Sequence, residues 1–521
     1  MAWGAGVLLA APVVALRYPP MGDLPLHESL VSLVRHFGDP HLVPPGVYAL
    51  SFGPPNQLFH VLACLLSLAL PTDLACKLVV AAAIVATPVC ALRLARHLET
   101  TPWAALLVAP LALGFAFRWG LVGNVLALPL VLASLPPLDR FARAPTPARA
   151  AASVGIVLLA YAAHESALLA LALAALLLGG AASRAGARDA RTTALRLVPA
   201  ATAAGLAAFY AAWGEHLKAP SILAVPNAYG AGPAVRLLDV PGVFFGPVDS
   251  EIRYAAFALY AVAFAAFLLA RRKESRGMQV RFLVVGAAWG VLYLIMPLAF
   301  GGSTLLYQRF LPPALAVLFV AGAPRADAAL RPLVPLLATT VPLSALLVAL
   351  PAFGAADRDF RDLDAIIAQV APCSAVAQLD LTPRAPSHVA PVPGAAARVL
   401  AVRGGRLLFS FTDAPTSPVT VPTAHQWNEP VLRMVRDPTE FRPGYDFRRF
   451  RYALVRLGSE YAALAPIIAT VMAPEGNFVA QSGDWLLFES ALPVDPLDVP
   501  DAPLPVPAPE SLRARLSNRA P

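Results

Sequence analysis

Near-chargeless apolar runs recur along the first two thirds of the chain, and no other feature constrains its fold as strongly. They fall at 2–17, 74–95, 102–118, 121–138, 148–163, 165–181, 196–213, 253–270, 281–300, 306–322 and 332–352. A helix needs about 20 apolar residues to cross a hydrocarbon layer of about 30 Å. Only helices and closed barrels satisfy their backbone polar groups there. The runs therefore predict a mainly α, polytopic membrane protein of about 11 transmembrane helices. Composition agrees, since 58% of the 521 residues are hydrophobic and only 14% charged, too few charges for an ordinary soluble domain.

The formal net charge of +8 does not point to nucleic acid, because the basic residues sit in short clusters between alternate apolar runs. Those clusters are Arg93/Arg96, Arg140/Arg143/Arg149, Arg184/Arg188/Arg191/Arg196, Arg271/Arg272/Lys273/Arg276/Arg281 and Arg325/Arg331. This is the pattern of cytoplasmic loops. It predicts a cytoplasmic N-terminus and, after an odd number of spans, an extracytoplasmic segment from about 353 onward. The run 2–17 has no basic segment before it and reads as a first membrane helix rather than a signal peptide. Residues 57–71 would break the alternation as a span, so they are expected as a helix on the outer leaflet within a long external loop, 18–73. Counting them as a span is the alternative, and it reverses the arginine asymmetry downstream. The Ala/Arg/Pro bias with three lysines suggests a GC-rich bacterial genome, hence a bacterial inner membrane. Cys64, Cys76, Cys90 and Cys373 show no paired spacing, so neither a disulfide framework nor a zinc site is indicated.

The transmembrane part is thus expected over 1–352. A small extracytoplasmic α/β domain is expected over 353–495, and a Pro-rich disordered tail over 496–521. Phe360, Leu363, Ile366, Ile367 and Val370 recur at helical spacing and lead into a strand-like "AVAQLDL". "RYALVRL", a helical "SEYAALAPIIATVMA", and "NFVAQ" and "WLLFES" around "SGD" continue the pattern.

Polar residues concentrate at the predicted outer face. The first external loop holds Asp23, His27, Glu28, His36, Asp39, His41 and His60, four of the chain's nine histidines. Asp23 and His27 are four apart and share a face if the segment is helical. One reading is a solvated loop. The other is a carboxylate that takes a proton from an acceptor hydroxyl or amide, or holds a divalent metal that does so, although the ligand spacing indicates no metal. His164 and Glu165 fall at one outer turn, and Arg118, Trp119 and Asn124 at another. An aromatic belt accounts for Trp119 but not for Arg118. Arg309 stands on the non-cytoplasmic side, against the charge rule. It either snorkels to headgroups or grips a phosphate through parallel hydrogen bonds.

In layout the chain resembles the GT-C superfamily of polytopic glycosyltransferases, which take sugars from polyprenyl-phosphate carriers. The likeness lies in a short first span followed by the acidic motif "GDLPLHES", then "NQLFHVLACLLSLALPTDLACKL" and "ALRLARHLETTPWAALL". It continues through "FRWGLVGNVLALPLVL", "AHESALL", "YQRFLPPALAVL" and an outer domain ending in "GDWLLFES". An adjacent Asp-Glu pair known from that superfamily is missing from this loop. The resemblance implies transfer of a hexosyl or pentosyl group from a polyprenyl-phosphate-linked sugar, at the lipid bilayer's outer face, to a glycan, lipid or protein acceptor. By that resemblance Asp23 is the candidate catalytic residue and Arg309 the ligand of the lipid phosphate; beside them, His27 and Glu28 are read as supporting Asp23, and Arg118, His164 and Glu165 at the outer turns as substrate-binding. The loop 214–252 is read as a cover for the cavity or as inert. Two other classes stay open on the residues alone: a transporter or flippase, and a non-catalytic envelope scaffold. Matched halves expected of many transporters are not visible.

Overall fold

The computed structural model describes the chain except for residues 186–188, 217–226, 247–249, 270–276, 301–302, 324–332, 383–393, 415, 428, 496–508 and 518–521. Most of the apolar runs are helices. Among the described residues six are long and apolar enough to cross a membrane: Thr72–His97, Val122–Arg143, Glu165–Arg184, Ala190–Ala212, Met278–Ile295 and Pro335–Ile367. Shorter apolar helices include Ala2–Ala15 (α1) and Pro147–Ala163.

One run departs from the expected form. Residues 104–119 make a five-residue helix, a 3-10 turn and a second short helix, Phe115–Trp119. The 3-10 turn Ala109–Leu113 carries Pro110 near its start, and Gly114 is extended; proline cannot donate to a ladder and glycine tolerates the break. The segment is buried within the bundle, where neighbouring groups can satisfy its backbone.

The run 57–71, expected on the outer leaflet, contains a helix, Leu58–Ser67 (α3), preceded by the helix Leu24–Arg35 (α2) and followed by the helix Thr72–His97 (α4). On α3, Phe59, His60 and Ala63 are buried while Leu65 and Leu66 are exposed. Helix α1 packs along α4 through Gly6, where a Cβ would come within 2.8 Å of the Val85 Cα. Lys77 of α4 reaches the carbonyls of Leu16 and Arg17, at 3.3 and 3.4 Å. A cation thereby closes the C-terminal end of α1.

Groups assigned from sequence to the same side of the membrane meet in space. His97, Arg143 and Arg281 converge on the fully buried Asp139, at 2.9, 2.8 and 3.1 Å. The loop residues Asp23, Asn56 and His60 gather elsewhere, with His164, Glu165 and Arg309.

After residue 353 the fold changes, but no linker marks the border. The span and the predicted amphipathic helix are one continuous helix, Leu333–Ile367. Its positions Phe360, Leu363, Ile366 and Ile367 are buried in the same core as the bundle. A five-stranded sheet follows, in the order Arg406–Leu407, Ala375–Asp380, Tyr452–Arg456, Trp485–Ser490, Gly476–Ser482. The first three strands are parallel and the last two antiparallel. Tyr452–Arg456 is buried on both faces, as a central parallel strand should be. The tail expectation is corrected at its end. Leu512–Ser517 is a helix, Leu512 lies in the domain core, and Arg515 pairs with Glu475 at 2.7 Å. Residues 496–508 lie outside the described residues.

Two long-range ties bring this part of the chain to the loop 18–73. Ala49–Leu50 pairs antiparallel with Val419–Thr420. Helix Ala397–Arg403 packs on α2, where Arg398 joins Glu28 at 2.9 Å and Asp364 at 2.7 Å.

Candidate functional site

The backbone around Asp23 is held from two sides. Gly22 N–H donates to the Arg118 carbonyl and Asp23 N–H to the Trp119 carbonyl, both at 3.0 Å. Gly120 follows with φ +76°, and a Cβ there would sit 2.3 Å from the Asp23 nitrogen. Only glycine fits this approach. Gly120→Ala is therefore expected to destabilise the protein by about 1–3 kcal/mol, from left-handed strain plus the clash. A lowered melting temperature in detergent would check this, and an unchanged one would contradict the tight docking.

Asp23 is the N-cap of α2, with Pro25 just inside the helix, yet its side chain makes no capping hydrogen bond. An N-cap aspartate ordinarily turns back onto the helix amides. Here the carboxylate instead lines a cavity of about 370 Å³. Enclosure pushes its pKa up to about 7, against the opposing pull of Arg309. The group is thus poised to gain and lose a proton near neutral pH.

His27, one helical turn on, faces the same cavity. Its Nδ1 lies 3.0 Å from Nε2 of His60 on α3. Burial, then the neighbouring His60 and His164, hold His27 well below the usual histidine range. Burial brings His60 down to about 4. Both rings are therefore neutral near pH 7.

Across the cavity, the chain reverses at His164 between helices Pro147–Ala163 and Glu165–Ala185. Glu165 opens the second helix, where an acid suits the dipole. Asn56 brackets it, accepting from Glu165 N–H at 3.0 Å and donating to its carboxylate. Asn56 has φ +68°, a conformation asparagine tolerates better than most residues. Ser303 donates to the other carboxylate oxygen at 3.0 Å.

Arg309 sits in the 3-10 turn Tyr307–Phe310. One terminal nitrogen lies 2.6 Å from His164 Nε2 and 3.5 Å from Glu165, and the other donates to the Thr304 carbonyl at 2.8 Å. Its buried Nε has no hydrogen-bond partner among the described residues. Asn124 donates to Ser166 at 2.9 Å, and Ser166 in turn meets His164 Nδ1 at 3.0 Å. The Asn124 side-chain oxygen is also left open. Arg309 and Asn124 further line a second, apolar cleft with Leu128, Val131, Pro312 and Pro313.

Five of the seven residues singled out in the sequence, Asp23, His27, His164, Glu165 and Arg309, therefore line one cavity. Glu28 and Arg118 do not. Glu28 is buried on another face of α2, accepting from Tyr18 and paired with Arg398. The Arg118 side chain packs on Gly246, and its carbonyl supports Gly22. Loop 214–252 supplies two short helices, Pro233–Leu238 and Val240–Phe245, while 217–226 lie outside the described residues. Asn56, His60, Ser303 and Thr304 were not singled out as site residues. Among the described residues, no three or more His, Cys, Asp or Glu side chains cluster as metal ligands.

No protein-family model matches the chain, and no curated protein matches it. Solved structures do. ArnT from Cupriavidus metallidurans bound to undecaprenyl phosphate is 14% identical, with a TM-score of 0.53, over 96% of this chain and 98% of that one. The apo state of the same protein matches with a TM-score of 0.51 and 14% identity, over 93% and 96%. The chain accordingly shares the polytopic membrane fold of ArnT.

Proposed function

We propose that the protein transfers a sugar from a polyprenyl-phosphate carrier to an acceptor at the outer face of a bacterial inner membrane. The observation that carries this reading is the place of Arg309, a cation that lines both the polar cavity and the small apolar cleft. A polyprenyl phosphate needs a cation for its head close to apolar surface for its tail, and Arg309 stands beside apolar side chains such as Leu128, Val131 and Pro313. The undecaprenyl phosphate bound to ArnT, on the same fold, supports the assignment.

In the proposed step, Asp23 removes the proton of an acceptor hydroxyl as that oxygen attacks the anomeric carbon of the sugar. The bond from that carbon to the phosphate oxygen breaks, and polyprenyl phosphate leaves with the electron pair. Arg309, held by His164 and Glu165, stabilises the charge gathering on the leaving phosphate. Attack opposite the leaving group inverts the anomeric configuration. The sidedness belongs to this proposal and rests on the arginine clusters.

The binding half is testable without knowing the sugar. Undecaprenyl phosphate is expected to bind the purified protein in nanodiscs, seen by native mass spectrometry. Arg309→Ala should weaken it about 10- to 100-fold, the scale of a lost charge-assisted hydrogen bond. Equal binding by both proteins would remove Arg309 from the phosphate site.

A further inference from the structure

The roof of the cavity comes from the C-terminal domain and differs in character from the floor. Phe409, Phe411, Ala414, Thr416 and Ser417 line it there. The Phe411 ring packs edge-on against His27, with centroids 5.0 Å apart. His27 meets His60 beneath it, and Phe59 lies edge-on to both imidazoles at 5.8 and 5.6 Å. This end is a box of aromatic faces and uncharged ring nitrogens.

Charge is distributed unevenly around the cavity. Its charged described lining residues are two acids, Asp23 and Glu165, and one cation, Arg309. Arg309 is committed to His164, Glu165 and Thr304. Arg406 of the same domain is turned elsewhere, stacked over Trp427 and bonded to the His425 carbonyl. A second anion in the cavity would therefore meet two carboxylates and, among the described lining residues, no cation but the committed Arg309. Enclosed charge of one sign without a partner is strongly disfavoured.

We infer that the box formed by Phe409, Phe411, His27 and His60 is the acceptor subsite, and that it takes an uncharged sugar hydroxyl and not a phosphate- or carboxylate-bearing acceptor. This rests on the donor reading above. The C–H-rich face of a pyranose or furanose packs on the Phe411 ring. A hydroxyl exchanges a hydrogen bond with the neutral His27 ring, whose Nδ1 already meets His60. One hydroxyl then reaches Asp23, one turn from His27 on α2.

The test uses the full chain in nanodiscs loaded with undecaprenyl phosphate. Two photoreactive probes are compared, an alkyl glucoside and its 6-phosphate, each carrying a diazirine. The neutral probe should label peptides containing α2 or Phe411 at least about tenfold more efficiently than the phosphorylated one. Phe411→Leu should cut that labelling about fivefold. Failure of undecaprenyl phosphate itself to bind would sink the donor reading. With the carrier bound, three results would overturn the acceptor assignment: equal or stronger labelling by the phosphate probe, no labelling of these segments by either probe, or labelling indifferent to Phe411→Leu.

Discussion

Asp23→Asn is expected to slow sugar transfer by about 100-fold or more, the usual scale for losing a general base, while leaving undecaprenyl phosphate binding in place. The amide keeps the shape of the carboxylate and removes only its capacity to take a proton. The pH profile gives an independent check. Enclosure raises the Asp23 carboxyl to about 7, and the base form is the ionised one. Wild-type turnover should therefore rise about tenfold per unit up to roughly pH 7 and level off above it, and Asp23→Asn should lose this dependence. A profile flat from pH 5 to 8, or a fully active Asn variant, would remove Asp23 from the chemistry.

The second large effect lies away from the reacting atoms. Arg398→Ala should destabilise the protein by about 3–5 kcal/mol, because it leaves the Glu28 carboxylate buried without its cation. Arg398 and Glu28 are 5% and 2% exposed, so solvent cannot take the place of the pairing. Burial already raises the Glu28 carboxyl, and Arg398 is what opposes that rise. The same guanidinium stacks over Tyr18 and reaches Asp364, which also holds Arg17. These groups join the end of the first span, α2 and the long helix Leu333–Ile367. Pairing Arg398→Met with Glu28→Gln should recover much of the loss, since the neutral amide no longer needs a buried cation and Asp364 keeps Arg17. Melting temperatures of the three proteins in one detergent decide the matter. A single variant as stable as wild type would show that the pair contributes nothing.

That role for Glu28 explains what the sequence could and could not reveal about the site. Asp23 and His27, four apart, share a helical face, and the structure puts both in the cavity. Glu28, next to His27, points about 100° away around the helix, into the contact with Arg398. Adjacency in sequence had made it look like a member of the same cluster. Its partner stands 370 positions along the chain, and no local pattern announces a pairing of that range. His60 was visible as one of several loop histidines, but its meeting with His27 depends on how α2 and α3 dock. Arg309 was legible because a lone arginine on the outer side violates the charge rule.

The helices were legible for a simpler reason. Lipid demands uninterrupted apolar length, and apolar length can be read directly. Where the bundle itself shelters the backbone, that demand lapses. Residues 104–119 accordingly break at Pro110 and Gly114 without leaving the interior. The border at 353 was read from a change of composition. Composition does not interrupt a helix, and Leu333–Ile367 runs through it.

The central claim is that this cavity moves a sugar off a polyprenyl phosphate. The most direct measurement follows free polyprenyl phosphate released when the reconstituted wild-type protein meets polyprenyl-phosphate hexoses and pentoses together with a cell-envelope acceptor extract. The account predicts acceptor-dependent release from one of these donors, about 100-fold slower with Asp23→Asn. Donors left intact by a folded protein that also fails to bind undecaprenyl phosphate would contradict it.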